Sequence, residues 1–291
     1  MSPAGAARGL WLRWSWRDLR GRWTQVAAIA AIIALGTGIY TGFVSSSEWR
    51  RISYSASYDR LAMYDLRVNL ADGSYVGATA LTDAIRAIPS RGDLAAVEPR
   101  LVVKTQVDAS VRGETILVPG RIVGVDVRDG GPHVNRVATE AGRGFTPNDA
   151  GERVAVLEHN FADYYDLPPS GDILISGGVR LRYVGQGLSP EYFFVRGDRG
   201  SLFAESNYAV VFVPLDTAGE LTGHPGDAND AVIRLQPGAD RAALRREVTR
   251  ALADAFPGVG VDITPRDATK CDGCCSRTSR TTSGSTTCSR S

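Results

Sequence analysis

The stretch Val26–Val44, VAAIAAIIALGTGIYTGFV, decides how this chain is organised. It lies inside residues 24–47, which carry no charged side chain. A helix needs ~20 apolar residues to cross the hydrocarbon of a bilayer, and this run supplies them. Arg8, Arg13, Arg17, Asp18, Arg20 and Arg22 precede it, and Glu48-Trp49-Arg50-Arg51 follows. A cleaved signal peptide would show an apolar core of ~7–15 residues and then a small-residue cleavage site. Here the run is longer. Gly36-x-Gly38-x-x-x-Gly42 provides small residues but no Ala-x-Ala pattern. The stretch therefore reads as an uncleaved anchor. Five Arg against one Asp before it place the N-terminus in the cytoplasm under the positive-inside rule, and everything after residue 48 outside.

All five tryptophans, Trp11, Trp14, Trp16, Trp23 and Trp49, fall in the first 49 residues. Trp23 and Trp49 bracket the span, where amphipathic rings favour the headgroup layer. Leu10–Arg22 mixes Trp and Leu with Arg and reads as an interfacial helix on the cytoplasmic surface, its cations near anionic membrane lipid. A disordered basic tail is the alternative. Gly38-x-x-x-Gly42 lies on one helix face and admits close approach of another helix, although glycine is common in membrane helices generally.

Of the 33 basic side chains only Lys104 and Lys270 are lysine, which with abundant Ala, Gly and Asp reflects coding bias rather than function. The net charge is +1, and beyond the N-terminal arm there is no basic stripe of the kind that binds nucleic acid. The residues between the span and about position 268 suffice for one or two domains.

Residues 48–64 read as the helix continuing outward and then changing to strand. Asp65–Leu70 is strand-like, Ala78–Ile88 has helical spacing at Leu81, Ala84, Ile85 and Ile88 with Pro89 as its stop, and Leu101–Val107 is a strand. A second such unit follows later. Ala231–Leu235 is a strand, and Asp240 caps a helix with Leu244, Val248, Ala251, Leu252 and Ala255 on one face. Pro257-Gly258 ends that helix before the strand Val259–Thr264. Two βαβ units can make one split sandwich with its helices on one face. Between them come strands at Thr115–Val118, Arg121–Val127, Arg153–Leu157, Asp172–Ile175, Val179–Val184 and Tyr208–Val213. The expected fold is α+β: a cytoplasmic arm (1–23), a transmembrane helix (24–47), an extracytoplasmic split-βαβ subdomain (48–111 with 226–268) and a β-rich insertion (112–225). A single mixed domain is the alternative.

The sequence offers no catalytic constellation. His133, His159 and His224 are widely separated, each in a loop or at a strand edge, and Glu152, Glu158, Asp163 and Asp166 are scattered as solvated loop charges would be. Gly-x-Ser-x-Gly, His-Glu-x-x-His and P-loop patterns do not occur. The expectation is a non-enzyme with no catalytic residue, cofactor or metal. Cys271-Asp-Gly-Cys274-Cys275 resembles a redox or zinc motif, yet all four Cys, including Cys288, fall in the last 21 residues. That stretch lacks Leu, Ile, Val, Ala and aromatics. Generic back-translation in another frame permits an acidic, aromatic segment. Residues 269–291 thus read as a disordered, frameshifted tail, with a Cys-rich tail as the alternative.

The order of these elements resembles the N-terminal part of ABC transporter permeases of the MacB/FtsX-like superfamily. WSWRDLRGRWTQVAAIAAIIALGTGIYTGF is similar to their first membrane helix with its lead-in. Ile122-Val-Gly-Val125, Gly142-Arg143-Gly144-Phe145, Tyr183-Val184-Gly185 and Ser189-Pro190-Glu191-Tyr192 are similar to their periplasmic core domain. The resemblance covers about residues 10–268. It implies an apparently truncated permease subunit, without catalytic residues of its own, in the cell membrane. Its partners would be a separate cytoplasmic ABC ATPase and a second permease subunit, exporting or extracting a lipid, lipoprotein, peptide or drug. The rival is a single-pass, signal-anchored binding or sensor protein.

Overall fold

The structure is a computed structural model that describes residues 16, 17, 20–111, 113–192 and 208–266. Within these, the side chains of residue 26 and residues 42–56 are not described. The chain divides into two units between Ser57 and Tyr58. The expected tail at 269–291 lies outside the described residues.

Helix α1 (Trp23–Arg60) runs for 38 residues. Its first part, Trp23–Thr41, is long and apolar enough to cross a membrane. The helix carries on through residues 48–58 as expected and ends at Arg60. Ala62 then adopts φ +53°, which turns the chain out of the helix.

From there the order is β1 (Leu66–Leu70), β2 (Val76–Gly77), α2 (Ala78–Arg86), β3 (Leu94–Asp108), β4 (Leu117–Val125), β5 (Ala138–Gly142), β6 (Val154–Glu158) and α3 (His159–Tyr164). Then come β7 (Gly171–Ile175), β8 (Val179–Leu188), β9 (Ala209–Pro214), α4 (Leu215–Thr222), β10 (Asp227–Ala228), β11 (Asp230–Leu235), α5 (Arg241–Ala255) and β12 (Val261–Pro265). The fold is α+β. One sheet has the order β12-β1-β11-β3-β4-β9-β6-β8-β5, with β7 pairing β3 and β8; β10 and β2 form a separate pair.

The four strands β12-β1-β11-β3 contain two interleaved split βαβ units. β11 runs antiparallel between β1 and β3, and β1 runs antiparallel between β11 and β12. Periodicity explains this half. β1 alternates buried with half-buried residues, as a one-sided strand must. Leu81 and Ile85 of α2 and Leu244, Val248 and Leu252 of α5 are buried in one core with Leu66, Val68, Ile233 and Ile263. Asp240 caps α5 as the sequence predicts, its Oδ1 accepting from Ala242 N at 2.9 Å and Ala243 N at 3.0 Å.

β3 joins the two halves of the sheet. Its residues up to Arg100 pair with β11, and those from Leu101 pair with β4. The expected strand began at Leu101; the structure extends it back to Leu94 because β11 satisfies that stretch. The two strands expected at Thr115–Val118 and Arg121–Val127 are one strand, β4. Pro119 lies within it opposite Gln106, and the β3 register is unbroken there. The stretch expected to be simply β-rich also holds β5 and two helices, α3 and α4. Its pairs β4·β9 and β6·β8 are parallel, which requires crossover connections rather than hairpins. α4 sits close on β4 because residue 124 is glycine: a Cβ there would lie 2.5 Å from Ala218 Cβ. Gly223, at φ +77°, ends α4 in the left-handed conformation.

Candidate functional site

The membrane-helix residues come first. Trp11 and Trp14 lie outside the described residues, while Trp16 and Trp23 are exposed at 68% and 67%. Trp23 and Trp49 are both in α1. The 26 residue steps from one to the other (49 − 23) correspond to about 39 Å of helix, close to the thickness of a bilayer with its headgroups. Gly38 has no atom within 4 Å of its would-be Cβ, so that face is open. Gly42 and Trp49 are described only as helical backbone. Thr37 and Thr41 return their hydroxyls to the helix, donating to Ile33 O at 2.8 Å and Thr37 O at 2.7 Å. Such back-bonding satisfies a hydroxyl where no water is present.

The second feature was not singled out in the sequence. Four charges, three of them with buried side chains, meet where β3 passes from one half of the sheet to the other. Arg67 on β1 gives Nε to Asp230 Oδ2 and Nη1 to Glu191 Oε1, each at 2.6 Å. Arg100 on β3 donates Nη1 to Glu191 Oε2 at 2.6 Å and Nε to Asp230 Oδ1 at 2.7 Å. Each carboxylate thus bridges both guanidiniums. The exposures of the Arg100, Glu191 and Asp230 side chains are 4% or less, and that of Arg67 is 18%, so the ring is shielded from solvent except at the Arg67 edge.

The electrostatics follow from that shielding. Burial alone would push Glu191 up, but Arg100 and Arg67 override it and hold the carboxyl at about 2. Burial would lower both arginines; Asp230 and Glu191 instead raise them. Beside the ring, burial and then Glu191 raise the Tyr192 phenol. Tyr192 packs edge-on against Phe212. Arg121 lies 5.8 Å over the Tyr192 ring and 5.1 Å over that of Tyr208, donating Nε to the Tyr208 hydroxyl at 2.9 Å.

The motifs quoted for the resemblance now have physical roles. Ser189-Pro190-Glu191-Tyr192 delivers Glu191 to the ring. In Gly142-Arg143-Gly144-Phe145, Arg143 holds Asp149 with two bonds of 2.7 and 2.8 Å. Asp149 also accepts from Thr146 N at 2.8 Å. Arg143 first, against burial and with Thr146 assisting, lowers the Asp149 carboxyl to about 2.

Two expectations are corrected. Glu158, read as a solvated loop charge, is fully buried and caps α3, accepting from Phe161 N at 2.9 Å. His159 opens that helix rather than lying in a loop or at a strand edge. The ring residues Arg67, Arg100 and Asp230 each look like an ordinary surface charge in sequence. Only the register, which sets Asp230 opposite Arg100, brings them together. Among the described residues, no group of three or more His, Cys, Asp or Glu is placed to hold a metal.

A groove of about 480 Å³ runs beside β3, lined in part by Glu98, Asp126, Arg128, Asp129, His133 and Asp216. Burial raises the Glu98 carboxyl, although it accepts from the backbone of His133 and Val134.

Comparison with known proteins gives one family. The model of the MacB-like periplasmic core domain matches residues 26–251. No curated protein matches the chain. Among solved structures, the periplasmic region of MacB from Actinobacillus actinomycetemcomitans is 11% identical, with a TM-score of 0.48 over 75% of this chain and 96% of that one. The extracellular domain of the ABC-type transporter YknZ from Gram-positive bacteria is 13% identical, with a TM-score of 0.46 over 69% and 98%.

Proposed function

The chain belongs to the family of MacB-like periplasmic core domains, a component of ABC transporter permeases, and on that premise we propose that it works as a permease-type subunit driven by a separate cytoplasmic ABC ATPase. The observation that carries this is the extent of the family match. It begins at residue 26, inside the apolar part of α1, and ends at residue 251, inside α5. Membrane helix and sheet domain are therefore matched as one continuous unit.

In this reading residues 1–22 lie in the cytoplasm, held at the lipid surface by Trp and Arg, and the sheet domain lies outside. A second permease subunit packs against the open face around Gly38. The sheet domain works as two subdomains, 48–111 with 226–268 and the insertion 112–225, that move on a lipid, lipoprotein, peptide or drug being exported or extracted. The chain performs no catalysis of its own; ATP hydrolysis supplies the work. The reading draws support from the positive-inside charge pattern before the span and from the order of the motifs at residues 122–192.

The test uses the full chain in its native membrane. Alkaline phosphatase inserted at the exposed turn Pro237-Gly238 should be active, and the same reporter fused at Arg20 should be silent. Cross-linking through residues 8–22 should capture an ATPase of the ABC type. A reporter active only when cytoplasmic, or an arm that captures no such ATPase, would overturn the proposal.

A further inference from the structure

Residues 61–64, which leave α1, are fastened to the loop that precedes β5. Asn135 N donates to Ala62 O at 2.9 Å and Arg136 N to Leu61 O at 2.8 Å. Tyr64 N donates to Asn135 Oδ1 at 2.9 Å. The other end of the same amide, Nδ2, donates to Glu191 Oε2 at 2.7 Å. Asn135 is buried and sits at φ +55°, a left-handed conformation that Asn tolerates better than most residues. The loop is held in place from below. The Glu98 carboxylate accepts from His133 N at 2.8 Å and Val134 N at 3.2 Å, and Val134 packs with Met63, Tyr64 and Val232.

One side chain therefore touches both the exit of α1 and the carboxylate that joins Arg67 and Arg100. We propose that Asn135 is a mechanical relay. A displacement of residues 61–64 passes through its amide to Glu191, and from there through Arg67 and Arg100 to β1, β3 and β11. The chemistry makes the connection stiff. Glu191 Oε1 takes Arg67, and Oε2 takes both Arg100 and Asn135. If Asn135 moved away alone, it would leave a buried charge short of a donor, a costly state. The cheaper response is for the groups to move together. The relay concerns the mechanics of this chain and goes beyond the transport reading, because it holds whatever partner acts on α1.

The test is amide hydrogen exchange on the full chain in detergent micelles, read by mass spectrometry. Asn135→Gly keeps the left-handed backbone accessible and deletes both side-chain bonds. It should accelerate exchange of residues 61–66 and of 189–192 together, by roughly tenfold. Asn135→Asp retains the Oδ1 acceptor for Tyr64 but sets a second carboxylate against Glu191. It should accelerate 189–192 and leave 61–66 at the wild-type rate. If Asn135→Gly moves only residues 61–66, Asn135 is a local turn residue and the relay is wrong. If Asn135→Gly does not fold, the Asp variant decides alone: unchanged exchange at 189–192 overturns the relay.

Discussion

In β1 buried residues alternate with half-buried ones, whereas all six residues of β9 are buried. The two strands belong to one sheet but face different surroundings. β1 has helices α2 and α5 on one side. β9 lies between two apolar layers: Val211 packs with Leu157, Phe161 and Leu181, while Val210 and Phe212 pack with Val123, Val156 and Tyr192. The first half of the sheet is thus held mainly from one side by amphipathic helices, although Val232 of β11 packs in a separate cluster with Met63, Tyr64 and Val134. The second is covered on both faces and includes parallel pairs, as buried parallel strands usually are. The lesson is that the mechanical joint between them cannot be apolar packing alone. β3 serves both halves, and at Arg100, where it changes partners, the joint is ionic.

The most disruptive way to test that contrast is to break the ring. Arg100→Ala leaves Glu191 and Asp230 buried with Arg67 as the one cation of the ring. Removing one partner of a buried pair costs about 3–5 kcal/mol, which for a domain of this size lowers Tm by roughly 10 °C. Calorimetry of the full chain in detergent should show one transition, displaced. Two separated transitions would mean that the halves of the sheet fold independently and that the ring is their only bond. The ring and the separate Arg143–Asp149 pair predict the acid response. Glu191 and Asp149 are held at about 2 in the fold, below their ordinary 4.5 and 3.8. A depressed folded pKa gives stability that is present above the ordinary value and lost as pH falls through the folded one. Tm should therefore decline as pH drops from about 4.5 to 2. Arg100→Ala should make that decline shallower, because Glu191 has lost part of the reason to stay ionised. A decline as steep as in the wild type would remove Glu191 from the account.

A smaller effect sharpens the description of the second half. α4 rests on β4 only because residue 124 has no side chain. Gly124→Val would place carbon against Ala218 Cβ, at 2.5 Å, and Leu215 Cδ1, at 3.3 Å. Overpacking of this kind costs about 1–3 kcal/mol. Paired with Ala218→Gly, the loss should be partly recovered. No recovery in the double variant would show that contacts other than the α4 seat set the cost.

How much was legible follows the same division. In the first half, local signals agree with the outcome. Leu244, Val248 and Leu252 recur at helical spacing, Asp240 marks the start of α5, and Pro237-Gly238 and Pro257-Gly258 mark the turns. The sequence therefore yields α2, α5, β11 and β12 with only small errors at their ends. In the second half the signals are non-local. β9 carries no alternation, so nothing in it tells which neighbours it has, and the parallel pairing of β4 with β9 joins residues some 90 positions apart. α3 and α4 are six and eight residues long, too short for periodicity to separate them from loops. The buried ring was illegible for the same reason. Arg67, Arg100, Glu191 and Asp230 are scattered over more than 160 residues, and a charge on a strand reads as solvent-facing until the register shows what lies opposite. The membrane helix is the other extreme, since its length and lack of charge are visible without any partner.

The smallest expected effect probes the half that the sequence described best. Asp240 is exposed, and its carboxylate accepts from Ala242 N and Ala243 N, two of the donors that the first turn of α5 leaves without partners. Asp240→Ala should cost about 1 kcal/mol, the usual loss on removing such a cap. That is less than the roughly 2 kcal/mol or more that each of Leu244, Val248 and Leu252 contributes by burial. α5 should therefore remain folded, with faster exchange confined to its first turn. Asp240→Asn separates the two possible sources of the effect. Asn caps about as well as Asp but brings no charge to the helix dipole. If the hydrogen bonds matter, Tm for Asp240→Asn stays near wild type and does not change with added salt. If the charge matters, Asp240→Asn loses nearly as much as Asp240→Ala, and salt narrows the gap between wild type and both variants. The first outcome is expected, because two well-formed bonds of 2.9 and 3.0 Å are already in place, whereas the attraction of an exposed charge to the dipole is worth only a few tenths of a kcal/mol at ordinary ionic strength.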